Sequence, residues 1–152
     1  MKYKFSIASD HGGFELKEQI IKALKSKWEL IDRGPSSNES VDYTDYAILV
    51  ASDVINEKAE FGILICTTGI GMSIAANKVN GIRAALVCDV KRAELARRHN
   101  NANIICLGAV YTELAKALEA IRLFDVTKFD GELAEGERHK RRVEKIIKLE
   151  NQ

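Results

Sequence analysis

The stretch Cys66-Thr67-Thr68-Gly69-Ile70-Gly71-Met72-Ser73 puts a thiol directly before a glycine-rich turn. Glycines at 69 and 71 let backbone N–H groups approach an anion closely, and a helix starting there would add the partial positive charge of its N-terminus. Such a turn stabilises negative charge, and a cysteine at its edge is placed to serve as base or nucleophile. On this motif alone, a buried strand cysteine before an ordinary turn is an equally good reading, because GxG recurs widely. Ser9-Asp10-His11-Gly12-Gly13 is a second group; Asp10 alone reads first as an N-cap and His11 as a surface histidine. His99 and Asn100, in ARRHNNAN, suit a helix C-terminus as well as they suit chemistry. Arg138 and Arg142 are four apart on a helical pattern, so both guanidinium groups emerge on one face. Like charges there are mildly destabilising unless an anion such as phosphate sits between them.

These groups need a frame. Short apolar runs at 4–9, 28–32, 61–66, 83–88 and 103–108 alternate with helical patterns. Leu16, Ile20, Ile21 and Leu24 mark one helical face; Ala47, Val50, Ala51, Val54 and Ile55 mark another. Val143, Ile146 and Ile147 mark a closing C-terminal helix. Strands apolar along their whole length are covered on both faces, so the pattern predicts an α/β fold: a doubly wound, Rossmann-like, five-stranded parallel sheet. In the common order 2-1-3-4-5, ligands bind beyond the carboxyl ends of the first and third strands. Those two ends carry Asp10-His11 and Cys66–Ser73.

Composition narrows the partners. With 152 residues, 46% of them hydrophobic, the chain suits one domain, 1–152, around one core. Lys and Arg total 23 against 22 for Asp and Glu, which gives no general reason to invoke nucleic acid or an anionic membrane. RHKRR at 138–142 resembles a nucleic-acid patch, but no recognised binding motif supports it. The N-terminal apolar stretch ends at Asp10 and fits neither a signal peptide nor a membrane span, so a cytoplasmic protein is expected. Cysteines 66, 88 and 106 are expected as free thiols, the last two in the core. No ligand spacing suggests a metal, and no cofactor is expected.

Taken in order, SDHGGF, ICTTGIGMSIAANK, GIRAALV, RRHNNAN and GERHKRRVE resemble the type B ribose-5-phosphate isomerase family and its galactose-6-phosphate isomerase relatives. The resemblance spans nearly the whole chain. It implies a metal-free, cofactor-free, Rossmann-like homodimer, or a tetramer, acting on a sugar phosphate by aldose–ketose isomerisation. It implies that Cys66 moves the proton and that Thr68, with the loop Thr67, Gly69, Ile70, Gly71, Met72 and Ser73, binds the enediolate. Asp10 and His99 would handle the ring and hydroxyls, His99 assisting ring opening. Asn100 would bind a hydroxyl or the enediolate, His11, Arg138 and Arg142 the phosphate, and Tyr43 would lie near the sugar. Two positions depart from the family pattern. Thr67 stands where glycine is usual, and Val110 where many members have an arginine that grips the phosphate.

Ribose 5-phosphate and ribulose 5-phosphate are the expected pair. A six-carbon aldose 6-phosphate (allose or galactose) and a non-catalytic phosphate-binding module are the rivals. Strand direction adds an expectation of its own: Asp10 and Cys66 end strands, whereas His99 and Asn100 precede one. The two sets lie at opposite edges of the sheet, so a shared site must draw on two subunits.

Overall fold

The computed structural model describes residues 3–152. The apolar runs form β1 (Tyr3–Ser9), β2 (Leu30–Asp32), β3 (Ala59–Cys66), β4 (Ala84–Leu86) and β5 (Ile104–Gly108). All neighbouring strands pair in parallel. Six helices join or follow them: α1 (Phe14–Leu24), α2 (Tyr43–Ile55), α3 (Ile70–Ala76), α4 (Val90–Asn100), α5 (Leu114–Val126) and α6 (Glu137–Leu149). Leu16, Ile20 and Leu24 repeat every four residues on α1, and all three are buried. Full burial of one such side chain, Ile20 for example, contributes about 1.5–3 kcal/mol.

The sheet separates two apolar layers. Phe5, Ile7, Ile63 and Ile105 face α1, α4 and α5, while Ala8, Leu64, Ile104 and Cys106 face α2 and α3. This alternation along each strand is the period of two expected when both faces are covered.

The strand order is β2-β1-β3-β5-β4, which corrects the expected 2-1-3-4-5 at one end. The reason lies in the two last strands. Every residue of β5 is buried, whereas three-residue β4 is only half-buried, so the more apolar strand takes the interior place and the short one the edge. The reversal between β1 and β3 is untouched by the exchange. Asn77 closes the open side of β4: its Oδ1 accepts from Ala84 N–H at 2.8 Å and its Nδ2 donates to Ala84 C=O at 2.9 Å.

Cys106 is in the core as expected, but Cys88 is exposed. The strand stops at Leu86, and Cys88 lies in the turn before Asp89, whose side chain caps α4 through Arg92 N–H. No helix among the described residues is long and apolar enough to cross a membrane.

Candidate active site

The carboxyl ends of β1 and β3 lie side by side, with Ser9 opposite Ile65. Asp10 follows β1, is buried, and does cap the 3₁₀ turn His11–Gly13: its Oδ1 accepts from Gly13 N–H at 3.1 Å. Its own N–H donates to Ile65 C=O, which fixes the carboxylate beside the end of β3. His11 is exposed, and its Nδ1 accepts from Val41 N–H at 3.3 Å, leaving Nε2 as the outward donor.

Cys66 ends β3 with 5% of its surface exposed. Gly69 N–H donates to its Sγ at 3.1 Å. That geometry requires glycine: residue 69 has φ +77°, and a Cβ there would lie 2.6 Å from Leu86 Cδ1 and 2.9 Å from the backbone of Leu107. Thr68 is half-buried and its Oγ1 accepts from Ile70 N–H at 3.3 Å; Ser73 Oγ donates to Ile70 C=O at 2.9 Å. Tyr43, the first residue of α2, lays its ring over Gly71, where a Cβ would lie 2.6 Å from the ring. Met72 is fully buried against α2, so only its backbone can face a ligand. Ile70 is half exposed.

Thr67, the departure from glycine, is exposed, and its hydroxyl fills the space that a side chain at Gly12 would need. Its bulk is accommodated because residue 12 has none. Val110 N–H donates to Thr67 C=O at 3.2 Å, which places the second departure beside the first.

The helix bearing Tyr43 is pinned from below. Asp53 accepts from Ser6 Oγ at 2.7 Å and from Arg33 Nε at 2.7 Å. Burial pushes the Asp53 carboxyl up, but the hydrogen bonds from Arg33 and Ser6 outweigh it and hold it below the ordinary carboxylate range. Cys106, one strand away, behaves differently: burial, reinforced by the nearby Cys66, pushes its thiol well above the usual range.

His99, Asn100, Arg138 and Arg142 form a separate group. α4 ends at Asn100, capped by Asn101 in the left-handed conformation, and Arg83 Nε donates to the carbonyls of Asn100 and Asn101 at 3.1 and 3.0 Å. His99 stacks on His139 of α6, with ring centroids 4.3 Å apart and planes 3° from parallel. Burial, then the neighbouring His99 and Arg138, hold the buried His139 imidazole below its ordinary value. Arg138 and Arg142 are exposed on the adjoining face, and no carboxylate among the described residues pairs with either.

The structure therefore brings together Asp10, His11, Tyr43 and Cys66–Ser73, and separately His99, Asn100, Arg138 and Arg142. It does not join the two groups within one chain. Ile104 pairs with Gly62 and Gly108 with Cys66, so α4 ends at the amino edge, about 13 Å or more along the strands from the thiol. His139 and Asp130, which approach His99, are missed by sequence spacing because their contact is made by packing between elements far apart in the chain.

Known proteins resemble the chain in sequence and in fold. Residues 5–146 match the family described as Ribose/Galactose Isomerase. The chain is 43% identical over 155 residues to a probable ribose-5-phosphate isomerase B of Mycoplasma genitalium, covering 100% of this chain and 99% of that one. It is 42% identical over 150 residues to the ribose-5-phosphate isomerase B of Escherichia coli, covering 97% and 96%. The solved structure of Clostridium thermocellum ribose-5-phosphate isomerase B superposes with a TM-score of 0.91 at 44% identity, covering 97% of each chain. By sequence and by fold alike, the chain belongs to the ribose/galactose isomerase family.

Proposed function

We propose that the chain interconverts ribose 5-phosphate and ribulose 5-phosphate through an enediolate, with Cys66 as the base. The observation that carries this reading is the contact between Cys66 Sγ and Gly69 N–H at 3.1 Å, beside the buried Asp10 carboxylate. A proton next to a sugar carbonyl is weakly acidic, so its removal at neutral pH needs a positioned base and donors aimed at the developing oxyanion. The Cys66 thiolate takes the proton from C2, the electron pair moves into the C1–C2 double bond, and the carbonyl oxygen gains negative charge. The backbone N–H groups of Gly71 and Met72, with the Thr68 hydroxyl, bind that oxygen. The thiol then returns the proton to C1 while the O2 hydroxyl proton passes to the O1 oxyanion, so that C2 becomes the carbonyl carbon and the ketose forms.

His99 opens the furanose ring, Asn100 binds a hydroxyl or the enediolate, and Arg138, Arg142 and His11 hold the phosphate. Because His99 and Cys66 sit at opposite edges of the sheet, a partner subunit supplies the His99 group in a twofold dimer. The apolar residues Ile70 and Ile74, both more than half exposed on α3 next to the thiol loop, support an interface at that place.

The five-carbon substrate is favoured by relatives named ribose-5-phosphate isomerase B. The test is a screen of five- and six-carbon aldose phosphates for ketose formation, repeated with Cys66→Ala. Turnover of ribose 5-phosphate that vanishes with the thiol is expected. Turnover of allose or galactose 6-phosphate alone would favour the six-carbon rival. Sugar-phosphate binding without turnover by the parent protein would favour a binding module.

A further inference from the structure

His99 projects from the last turn of α4, Asp130 from the 3₁₀ turn Asp130–Glu132, and His139 from the first turn of α6. One donor atom from each lies within 4.8 Å of the other two. Two imidazole nitrogens and one carboxylate oxygen are the three-ligand set of many zinc sites that keep a fourth position open. We propose that His99, Asp130 and His139 form a zinc-binding site, and that zinc bound there inhibits isomerisation by occupying the His99 nitrogen. The inhibitory half rests on the reading of His99 as the ring-opening group; the binding half rests on this geometry alone.

Bond lengths of about 2.0–2.1 Å hold tetrahedral donors roughly 3.3 Å apart. The two stacked rings must therefore turn out of parallel, so that a nitrogen of each points at one ion. Asp130 is already gripped by Arg98, whose Nε donates to both carboxylate oxygens at 3.1 Å. A carboxylate offers about four acceptor positions, so a free lone pair remains for a metal while Arg98 orients the group, as hydrogen-bonded partners commonly do for ligating carboxylates.

The charges around the site decide which cation it takes. Arg98 beside Asp130, and Arg138 and Arg142 beside His139, all oppose positive charge. A hard cation such as Mg²⁺ or Ca²⁺, held by several oxygen ligands, finds one carboxylate and unfavourable field. Zinc, like the other imidazole-binding divalent metals, draws its affinity from nitrogen, and two imidazoles with one carboxylate is a familiar three-ligand set for it.

The experiment uses Co²⁺ as a visible stand-in for zinc, titrated into the full-length Cys66→Ala, Cys88→Ala protein so that no accessible thiol competes. Tetrahedral cobalt absorption, displaced by zinc and weakened at least about 10- to 100-fold in His139→Gln, is expected. Asp130→Asn, which preserves shape, gives the same reading if His139→Gln does not fold. In the parent enzyme zinc should inhibit while equal Mg²⁺ does not, and Asp130→Asn should need about tenfold or more zinc for the same fractional loss. Absent cobalt bands, or bands that neither substitution changes, would overturn the site. Cobalt binding as expected with undiminished turnover under saturating zinc would overturn the inhibitory half. A parent protein without isomerase activity would sink the functional reading while the cobalt titration still decided the site.

Discussion

At the carboxyl edge, the loop from Cys66 to Ser73 presents backbone N–H groups in a frame that backbone packing makes rigid. Gly69 is wedged against Leu107, Gly71 lies under Tyr43, and Thr67 fills the gap at Gly12. At the amino edge, His99 at the end of α4 and Arg138 and Arg142 on α6 present polar and charged side chains, the two arginines exposed and without a carboxylate partner among the described residues. The difference suits the two tasks proposed above. A transient oxyanion is best met by donors fixed beforehand, since reorganising them during the reaction would raise the barrier. A permanently charged phosphate can be met by long, mobile cations that close on it after arrival.

The contrast is broken most directly at the thiol. Cys66→Ala should lower kcat by about 10²- to 10⁴-fold while sugar-phosphate binding persists, because it leaves the proposed phosphate contacts of His11, Arg138 and Arg142 intact. Binding by calorimetry and turnover by ketose formation separate the two effects. A loss below tenfold would put the base at another residue.

Mixing subunits tests whether the two edges meet across a dimer. Cys66→Ala and His99→Ala proteins, each nearly inactive, should regain activity after dissociation and reassociation, since each mixed dimer holds one site with both groups intact. No recovery, with exchange confirmed by mass, would place both groups in one subunit.

Rigidity at the carboxyl edge is tested by Gly69→Ala. The left-handed conformation costs a side chain about 1–2 kcal/mol, and the Leu107 contact must also give way. Lower thermal stability with reduced kcat is expected, and an unchanged enzyme would show that the frame is softer than its packing implies. Arg138→Ala and Arg142→Ala should instead raise KM roughly tenfold each, with kcat little changed and the two effects not additive. Strict additivity, or unaltered KM, would reduce the pair to a solvated basic face.

The smallest effect concerns the support beneath Tyr43. The folded-state pKa of Asp53 lies below its ordinary 3.8, so its stabilisation is present above that value and is lost as pH falls through the folded one. Asp53→Asn should cost about 1–3 kcal/mol at neutral pH and flatten the acid end of the stability profile. Parallel profiles for parent and variant would deny the Arg33 contact that role.

The contrast also bears on what could be read without coordinates. The carboxyl-edge site was legible because its parts are contiguous: Cys66 to Ser73 is one motif, and strand order at β1 and β3 sets it beside Asp10. The apolar helix faces were equally plain, since Leu16, Ile20 and Leu24 lie buried on α1 and Ala47, Val50 and Ala51 on α2. The exchange of β4 and β5 was not legible, because it turns on a comparison of burial between two short apolar runs. Cys88 went astray for a related reason: RAALVC continues to look like a strand after pairing has stopped at Leu86. The approach of Asp130 and His139 to His99 left no trace in spacing at all, since docking of α6 against α4 and the 3₁₀ turn creates it.

The amide of Asn77 has a consequence beyond the site. By occupying both hydrogen-bonding groups of Ala84, it leaves the outermost strand without a full row of open backbone groups on which a foreign strand could template. Growth of the sheet from one molecule into the next is thereby disfavoured across the β4 edge, which protects a crowded solution of this protein from aggregation through that strand.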